Sequence, residues 1–434
     1  MKKLLILTLI VFTISVFAAD NDILTIGKSK NRLDIGKIEK GQIIDTRLNV
    51  KVSMEEMVKR SLKSDVFVIG EMHTSGDCHT FQVDFIKALY KAYPKIIIGF
   101  EFFQRTDEKI LEKWRLGEIT EDELLKETKW FEKGSFHYNY TKAIMDLAKK
   151  NKIKVAGLNI PREILRKTSR KGFATLSKEE KKLFPTINVL NKDHRFLIQR
   201  VFGEFTLQMP PFWFNNMYDA QKIWDVIMAE SMIKVLKKNK GYKGIIIAGN
   251  NHVIYKLGIP FRYNLAKKRA KVTTIIPIYV PEQKEDEAGA GHPMMKKMAG
   301  SMAKIAIYSR GIGDYVFSIK ESTDNIYKKF GINGKYKDNK YTVKSVSKKS
   351  SAEKYGIRKG DIIKSINGIE IKEKGQLGHY LYKNFGKTDL IFEITKTLKI
   401  KKNKEQKNKN KKMKMKTTKK NGMMKMMKKK EIKK

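Results

Sequence analysis

Two short motifs bring acid, amide and imidazole side chains together, Gly-Glu-Met-His at residues 70–73 and Gly-Asn-Asn-His at residues 249–252. Each motif follows a run of apolar residues that predicts a buried strand. In an open α/β sheet, ligands bind beyond the carboxyl ends of the parallel strands, where residues distant in sequence meet. We therefore predict that His73 and His252 belong to one site.

Two more apolar runs end in polar residues. The run at 96–100 leads into Glu101, and the run at 155–158 leads into Asn159 and Arg162. One glycine with a neighbouring histidine is ordinary turn chemistry. Four strand ends that all carry polar groups predict a site along one edge of the sheet.

The residues of this edge allow two kinds of hydrolytic chemistry. Glu71, His73, Glu101 and His252 form a mixed oxygen and nitrogen set that suits zinc, manganese or cobalt. A metal with an open coordination position activates water for hydrolysis. Alternatively, Glu71 or Glu101 acts as a general base without a metal.

The start of the chain predicts export. Residues 1–19 begin with two lysines, continue as an apolar stretch and end in two alanines, which is the layout of a cleaved signal peptide. The apolar stretch is shorter than the roughly 20 residues that span a bilayer. We expect a periplasmic or cell-envelope protein. Because the single cysteine is Cys78, we expect no lipid-anchored cysteine, no internal disulfide and no cysteine-based zinc site.

Residues 399–434 hold 18 lysines against two glutamates and contribute +16 of the formal net charge of +45, which leaves +29 in the rest of the chain. Residues 398–434 lack helix or strand periodicity, which predicts a disordered, solvated tail rich in Lys and Met. The tail is a candidate for weak contact with an anionic membrane surface. We do not expect a nucleic-acid partner.

The 434 residues, 41% of them hydrophobic, allow two or three domains. Residues 20–53 predict a linker with an edge hairpin, and residues 54–320 predict a first domain. Strands alternate with helices in this domain, which indicates a mostly parallel sheet flanked by helices. The predicted strands are 66–71, 96–101, 153–159, 244–249, 273–280 and an edge strand at 314–319. The first predicted helix covers 54–62, and a second, with apolar residues at 81, 85 and 89, ends before Pro94. Further helices are predicted around 107–127 and 140–150, at 217–237 and between 282 and 308, while 209–214 predicts a loop.

Residues 321–397 resemble a PDZ domain, a small β-rich fold. The resemblance rests on the Ser-Ser-Ala-Glu-Lys-Tyr-Gly-Ile-Arg-Lys-Gly-Asp-Ile-Ile pattern at 350–363 and the Asn-Gly hairpin at 367–368. Phe330, Gly331 and Ile332 resemble the loop whose backbone N–H groups hold a peptide carboxylate. The resemblance implies a peptide or protein partner that adds a strand to the sheet edge.

The first domain resembles the ChaN-like haem-binding uptake family, within the Tiki superfamily, over about residues 43–320. An ordered series of motifs carries the resemblance. The motifs are Val-Ile-Gly-Glu-Met-His at 68–73, Gly-Phe-Glu at 99–101, Asn-Ile-Pro-Arg at 159–162, Tyr-Asp-Ala-Gln at 218–221 and Ala-Gly-Asn-Asn-His at 248–252. The resemblance implies an exported bacterial protein that binds haem for iron acquisition.

A haem site needs an axial donor, an apolar slot and cations for the propionates. Tyrosinate oxygen is a hard donor suited to ferric iron, so Tyr140 is the leading candidate ligand and Tyr138 the second. His73, His79 and His137 are candidates for a second ligand or for propionate contacts, and Arg162 is a candidate cation. The candidate walls of the slot are Phe102, Phe103, Trp130 and Phe136.

Three functions therefore stay open. The first is haem binding with a PDZ module, in which the apolar segment at 209–214 packs on the domain or joins a homodimer contact. The second is a metal-dependent peptidase or esterase, since the superfamily includes hydrolases with a similar Glu and His layout. The third is a PDZ adaptor with an inactive first domain.

Overall fold

A computed structural model of the chain describes residues 22–133, 138–183, 190–203, 205–281, 305–320, 330–384 and 389–395. The predicted signal peptide, the Lys/Met tail, Phe136 and His137 lie outside the described residues. The described chain forms two compact units. The first unit comprises the described residues up to Gly331 together with Lys372–Leu390, and the second comprises Ile332–Ile371 and the described residues from Ile391.

An eight-stranded sheet organises the first unit, with the strand order β3-β2-β10-β8-β4-β7-β5-β6. All neighbouring pairs from β10 to β6 are parallel, as predicted, and β2 and β3 form the antiparallel hairpin at one edge. The strands of this sheet are β2 (Ile43–Asp45), β3 (Val50–Lys51), β4 (Val66–Glu71), β5 (Ile96–Gln104), β6 (Lys154–Asn159), β7 (Lys243–Gly249), β8 (Val272–Tyr279) and β10 (Tyr315–Ile319). A separate antiparallel pair joins β1 (Ile35–Glu39) to β9 (Ile305–Ser309).

Helices cover both faces of this sheet. The helices of the first unit are α1 (Met54–Ser61), α2 (Gly76–Ala92), α3 (Glu108–Leu116), α4 (Glu121–Glu127), α5 (Asn139–Lys150), α6 (Arg162–Lys171), α7 (Lys178–Lys182), α8 (Lys192–Phe202), α9 (Phe205–Gln208), α10 (Pro211–Lys238), α11 (Ile259–Ala266) and α13 (Gln376–Asn384). Side chains alternate along each strand, so Phe67 and Ile69 join the core under α1–α5, whereas Val66 and Val68 join the core under α8, α10 and α11. No helix within the described residues combines the length and apolar character that crossing a bilayer requires.

Two predictions about local structure were wrong. The segment at 209–214 is not a loop, because α10 already begins at Pro211. Proline is favoured in the first turn, where its missing N–H leaves no hydrogen bond unmade. The strand at Tyr315–Ile319 is not an edge strand, since β2 pairs with its outer side. The predicted loop and helix between 282 and 308 lie outside the described residues as far as residue 304, and residues 305–308 belong to β9, which pairs with Ile35–Glu39.

The second unit is a small antiparallel sheet. Its strands are β11 (Ile332–Lys337), β12 (Lys340–Val346), β13 (Ile362–Ile366), β14 (Ile369–Glu370) and β15 (Phe392–Thr395), with the short helix α12 (Ser351–Lys354). The predicted hairpin is present, because Asn367 and Gly368 both have positive φ angles and Ile366 pairs with Ile369. Positive φ at both central residues is the geometry that an Asn-Gly turn favours.

One segment of the predicted PDZ region packs in the first unit. Tyr382 of α13 is 8% exposed and belongs to the core under α1–α5, where its ring contacts Tyr138 and Phe131. The Tyr382 hydroxyl donates to Glu121 Oε1 at 2.7 Å, and Lys383 pairs with Asp122 at 2.6 Å. Residues 372–390 are therefore a structural part of the first unit.

Candidate functional site

The carboxyl ends of β4, β7, β5 and β6 bring the predicted residues to one edge of the sheet. Glu71 is the last residue of β4 and pairs in register with Gly249, the last residue of β7. Glu101 lies on the neighbouring β5, where its Oε2 accepts a hydrogen bond of 2.7 Å from the Gly249 N–H. Asn159 closes β6 and donates to the Glu101 carbonyl at 2.9 Å. The prediction of converging strand ends matches this arrangement.

The first half of the site surrounds Glu71, which is 3% exposed. His73 Nδ1 donates to Glu71 Oε1 at 2.8 Å, and Gln82 Nε2 donates to Oε2 at 2.8 Å. Gln82 is held in turn by His79, whose Nδ1 lies 3.1 Å from the Gln82 amide oxygen. Helix α2 supplies both His79 and Gln82 on one face, since they are three residues apart.

This network fixes charge at the buried end of β4. Burial opposes the ionised form of Glu71, yet the hydrogen bonds from His73 and Gln82 and the positive charges of His79 and His73 lower its pKa to about 2. Burial also opposes protonation of His73, but Glu71 and Glu101 raise the pKa of His73 overall. The surroundings therefore favour a carboxylate on Glu71 and a proton on the His73 imidazole, and the His73 side chain is 26% exposed.

The second half of the site is a buried chain of acid and imidazole groups. His252 Nδ1 donates to Asp225 Oδ1 at 2.6 Å, and the Gln221 amide lies 2.8 Å from the same nitrogen. The other oxygen of Asp225 lies 3.4 Å from His194 Nε2, with both side chains fully buried. Burial opposes protonation of His252, but Asp225 and Glu101 raise its pKa overall. Burial lowers the pKa of His194 to about 4.

Glycine allows the two halves to approach each other. A Cβ on Gly249 would lie 2.9 Å from His73 Nε2, so a side chain there would press on the imidazole. Glu101 lies between the halves, because its Oε1 is 3.9 Å from His252 Nε2 while its Oε2 binds the Gly249 N–H. Glu71, His73, Glu101 and His252 thus form one contiguous cluster.

The structure separates the two candidate tyrosines. Tyr140 is half-buried in the first turn of α5, and its ring stacks on His79 with a centroid distance of 5.3 Å. Tyr138 is fully buried against Trp130 and Tyr382, and burial raises the pKa of its hydroxyl. Tyr140 therefore adjoins the Glu71 network, whereas Tyr138 lies in the core.

The candidate walls are similarly divided. Phe102 is half-buried and its ring centroid lies 5.1 Å from that of His73, in an edge-on contact. Phe103 and Trp130 are buried in the core behind it. Phe102 is the described wall residue that borders the site.

Arg162 begins helix α6 next to this edge, where its guanidinium donates to the Lys133 carbonyl oxygen. Burial lowers the pKa of Arg162, although the charge of Glu101 favours its protonated form. Glu101 is thus near enough to Arg162 to influence it. The predicted cation stands beside the strand-end cluster.

The predicted metal set is arranged as hydrogen-bonded pairs. Among the residues that the structure describes, no group of three or more His, Cys, Asp or Glu side chains is placed to hold a metal ion. Glu71 is occupied by His73 and Gln82, and His252 is occupied by Asp225. Such carboxylate–imidazole pairs are suited to proton transfer.

The sequence analysis did not identify Asp225, Gln221 and His194 as site residues. Helix α10 is largely apolar, yet one face carries the buried Tyr218 and Asp225 and the half-buried Gln221 at helical spacing. Polar residues three to four positions apart on a buried helix face mark a shared contact. That spacing was the available signal for Asp225, whereas nothing near His194 in sequence marks its approach to α10.

The predicted peptide-carboxylate residues lie where the chain enters the second unit. Phe330 is buried, Gly331 has a φ angle of +82°, and Ile332 begins β11. A positive φ angle favours glycine at this position. Peptide binding by these residues stays a prediction.

Two family models match the chain. The model described as haem-binding uptake, Tiki superfamily, ChaN matches residues 57–262, and the PDZ domain model matches residues 329–416. No curated protein matches the chain.

Several solved structures resemble the chain at low identity. A ChaN structure from Campylobacter jejuni, described as binding haem cofacially, is 20% identical. The match covers 63% of this chain and 95% of the ChaN chain, with a TM-score of 0.42. The erythromycin esterase EreC in its open conformation is 11% identical, covers 65% and 98%, and has a TM-score of 0.36. A Bacillus cereus protein is 16% identical, covers 62% and 92%, and also has a TM-score of 0.36.

Proposed function

We propose that this protein binds haem at the strand-end site for haem or iron acquisition, because the ChaN haem-binding uptake model of the Tiki superfamily matches residues 57–262 and the PDZ domain model matches residues 329–416. Haem would supply a redox-active ferric iron and a flat apolar macrocycle. The PDZ region would bind a peptide or protein partner.

The observation that carries the proposal is the position of Tyr140. Its ring lies on His79, and His79 joins through Gln82 to the buried Glu71. A half-buried phenol next to imidazoles is a donor set that suits ferric iron. Tyr140 is therefore the proposed axial ligand, and Tyr138 is set aside because its hydroxyl is buried in the core.

The neighbouring residues fit the rest of a haem. Phe102 presents a half-buried aromatic ring beside His73. Arg162 offers a guanidinium, which recognises carboxylates well because its donors are planar and forked. The chain therefore has a hard oxygen donor, an apolar surface and a cation along one edge.

The wider role belongs to the same proposal. The signal-like residues 1–19 support export to the periplasm or cell envelope, and the basic tail supports weak contact with an anionic membrane. A homodimer is supported by the exposure of Phe212 and Trp213 at the start of α10, at 58% and 37%.

The test is a titration of the full chain with ferric haem, followed by absorption in the Soret region. We expect saturable binding in the unaltered protein and in His252→Ala, and loss or displacement of the band in Tyr140→Phe. Tyr138→Phe is the matched control and should retain the band. An unchanged spectrum for Tyr140→Phe would remove the ligand assignment, and the absence of a specific band in the unaltered protein would remove the haem function.

The second candidate function is hydrolysis of an ester or peptide bond. The Glu71–His73 and Asp225–His252 pairs favour it, because each joins an acid to an imidazole near Glu101. Glu71→Gln and His252→Ala should then each abolish turnover of a test ester, with elemental analysis reporting whether zinc or manganese is lost as well. An adaptor role would instead leave both variants without effect, while Gly331→Val weakens peptide binding.

A further inference from the structure

A basic cleft of about 340 Å³ lies beside the strand-end site. Five cationic side chains line it, from Lys129, Lys133, Arg162, Arg166 and Lys374, against the two carboxylates of Glu132 and Glu163. Charges of one sign that line a concave surface raise the local concentration of ligands of the opposite charge. The cleft therefore favours an anion.

The individual pairings leave part of this charge unbalanced. Lys133 is neutralised by Asp107 at 3.1 Å. Within the described ranges, no carboxylate lies within 4 Å of the Arg162 guanidinium, which donates to the Lys133 carbonyl oxygen. Desolvating a cation without an anionic partner is costly. A bound carboxylate or phosphate would offset that cost at Arg162.

The cleft borders the same edge of the sheet as the proposed haem site, because Gln104 at the end of β5 lines it. Arg162 responds to the charge of Glu101, and Asn159 ties the end of β6 to β5 at that same glutamate. Phe102 directly follows Glu101 and contacts His73. Glu101 and Phe102 at the end of β5 therefore connect the part of the sheet edge near His73 and Tyr140 with the part near Arg162.

Residues 372–390 complete the cleft. Lys374 comes from this segment, and a Cβ on the following Gly375 would lie 2.8 Å from the Glu132 backbone nitrogen. That close approach requires glycine, whose φ angle here is +90°. Lys374 is thus held at the cleft by packing within the first unit.

We propose that this cleft receives the propionate carboxylates of the haem, with Arg162 and Arg166 as the main contacts and Lys374 as a supplement. The proposal rests on the haem function proposed above and extends it by naming the anion subsite. A guanidinium–carboxylate pair accounts for the selectivity, because both groups are planar and can form two parallel hydrogen bonds.

The test separates the carboxylates of the ligand from its iron. The full chain is titrated with metal-free protoporphyrin IX and with its dimethyl ester, and binding is followed by porphyrin fluorescence. The ester lacks the anionic groups, so we expect the free acid to bind roughly ten- to a hundredfold more tightly. Equal affinity for the two porphyrins would overturn the proposal.

Variants locate the effect. Arg162→Gln should remove most of the preference for the free acid without weakening the ester, and Lys374→Gln should reduce the preference less. Arg170→Gln, in the exposed last turn of the same helix, is the matched control and should change neither affinity. Equal weakening of both porphyrins by Arg162→Gln and by Lys374→Gln would show a structural role and overturn the proposal.

Two further measurements distinguish a wrong ligand assignment from a wrong assignment of the cleft. Tyr140→Phe should abolish the ferric Soret band while leaving the free-acid preference of the metal-free porphyrin intact, so a failed ligand assignment would not be mistaken for a failed cleft. Millimolar inorganic phosphate should weaken the free acid only slightly. Full displacement by phosphate would make the cleft a general phosphate site and overturn the assignment to propionates.

Discussion

The two halves of the site use the same acid–imidazole pairing in different surroundings. Around Glu71, the imidazole of His73 is 26% exposed, so the pair faces an accessible edge. Around Asp225, both His252 and His194 are buried, and the carboxylate itself is fully covered. A pair with a partly exposed imidazole can contact a ligand, whereas a fully buried pair mainly fixes the position and charge of its own side chains. The difference assigns ligand contact to the first half and support to the second.

The largest expected effect is loss of the buried carboxylate. Asp225→Ala leaves His252 without its 2.6 Å partner, and breaking a buried pair typically costs about 3–5 kcal/mol. Denaturant unfolding should show a loss of that order. His73→Ala in the accessible half is the comparison and should cost less, about 1–3 kcal/mol, because Gln82 still donates to the buried Glu71 carboxylate. Similar losses for both variants would erase the distinction between the halves.

The next effect is a pH dependence of opposite sign for Glu71 and His252. Because the pKa of Glu71 falls from 4.5 to about 2, its stabilisation is present above pH 4.5 and is lost as the pH falls toward 2. The change amounts to about 3 kcal/mol. The pKa of His252 is raised, so its contribution is present below pH 6.5 and is lost as the pH rises through the folded value.

Unfolding measured from pH 2 to 9 tests these two signs. Glu71→Gln should flatten the acid side of the profile and, because Glu71 also raises the pKa of His73, remove a part of the alkaline loss. Asp225→Asn should flatten the alkaline side and leave the acid side. An acid side that is unchanged in Glu71→Gln would contradict the charge assignment of the Glu71–His73 pair.

Two glycines offer a smaller comparison. A Cβ on Gly258 would lie 2.3 Å from the His252 carbonyl oxygen, which is backbone and cannot move away, so Gly258→Ala should cost about 2–3 kcal/mol. A Cβ on Gly249 meets the end of the half-buried His73 side chain, which can turn toward solvent. Gly249→Ala should therefore cost less than about 1 kcal/mol. Thermal unfolding of both variants would reveal a reversed order.

Tyr140→Phe should have the smallest effect on stability and the largest effect on haem binding. Tyr140 is half-buried, so removal of its hydroxyl in Tyr140→Phe should change the free energy of unfolding by about 1 kcal/mol or less. Chemical denaturation beside the haem titration compares the two readouts. A large loss of stability in this variant would place Tyr140 among the supporting residues.

The strand-end residues of both halves of the site were predictable from the local sequence pattern. Glu71, His73, Glu101 and His252 each follow an apolar run, and parallel strands must bring such ends together. The parallel order of the central strands followed from their alternation with helices. These features depend on periodicity within about ten residues, which a single sequence displays.

The other features depend on contacts between distant segments. His194 meets Asp225 because α8 packs beside α10, and no local pattern specifies that approach. The pairing of Ile35–Glu39 with Ile305–Ser309 likewise joins segments some 270 residues apart in sequence. Helix α13 reads as part of a PDZ domain in sequence, yet Tyr382 lies in the core of the first unit. Tertiary packing decides such positions.

The placement of residues 372–390 in the first unit also bears on how this protein can be divided or recombined. The chain leaves the first unit after Gly331 and re-enters it at Lys372, so the unit is discontinuous in sequence. Truncation after Gly331 would remove the Tyr382 ring from beside Tyr138 and Phe131 and would leave the Glu121 carboxylate without the Tyr382 hydroxyl. The first unit therefore cannot be separated from the PDZ region by a single cut. Insertion or loss of the PDZ region during evolution would have had to keep or replace α13.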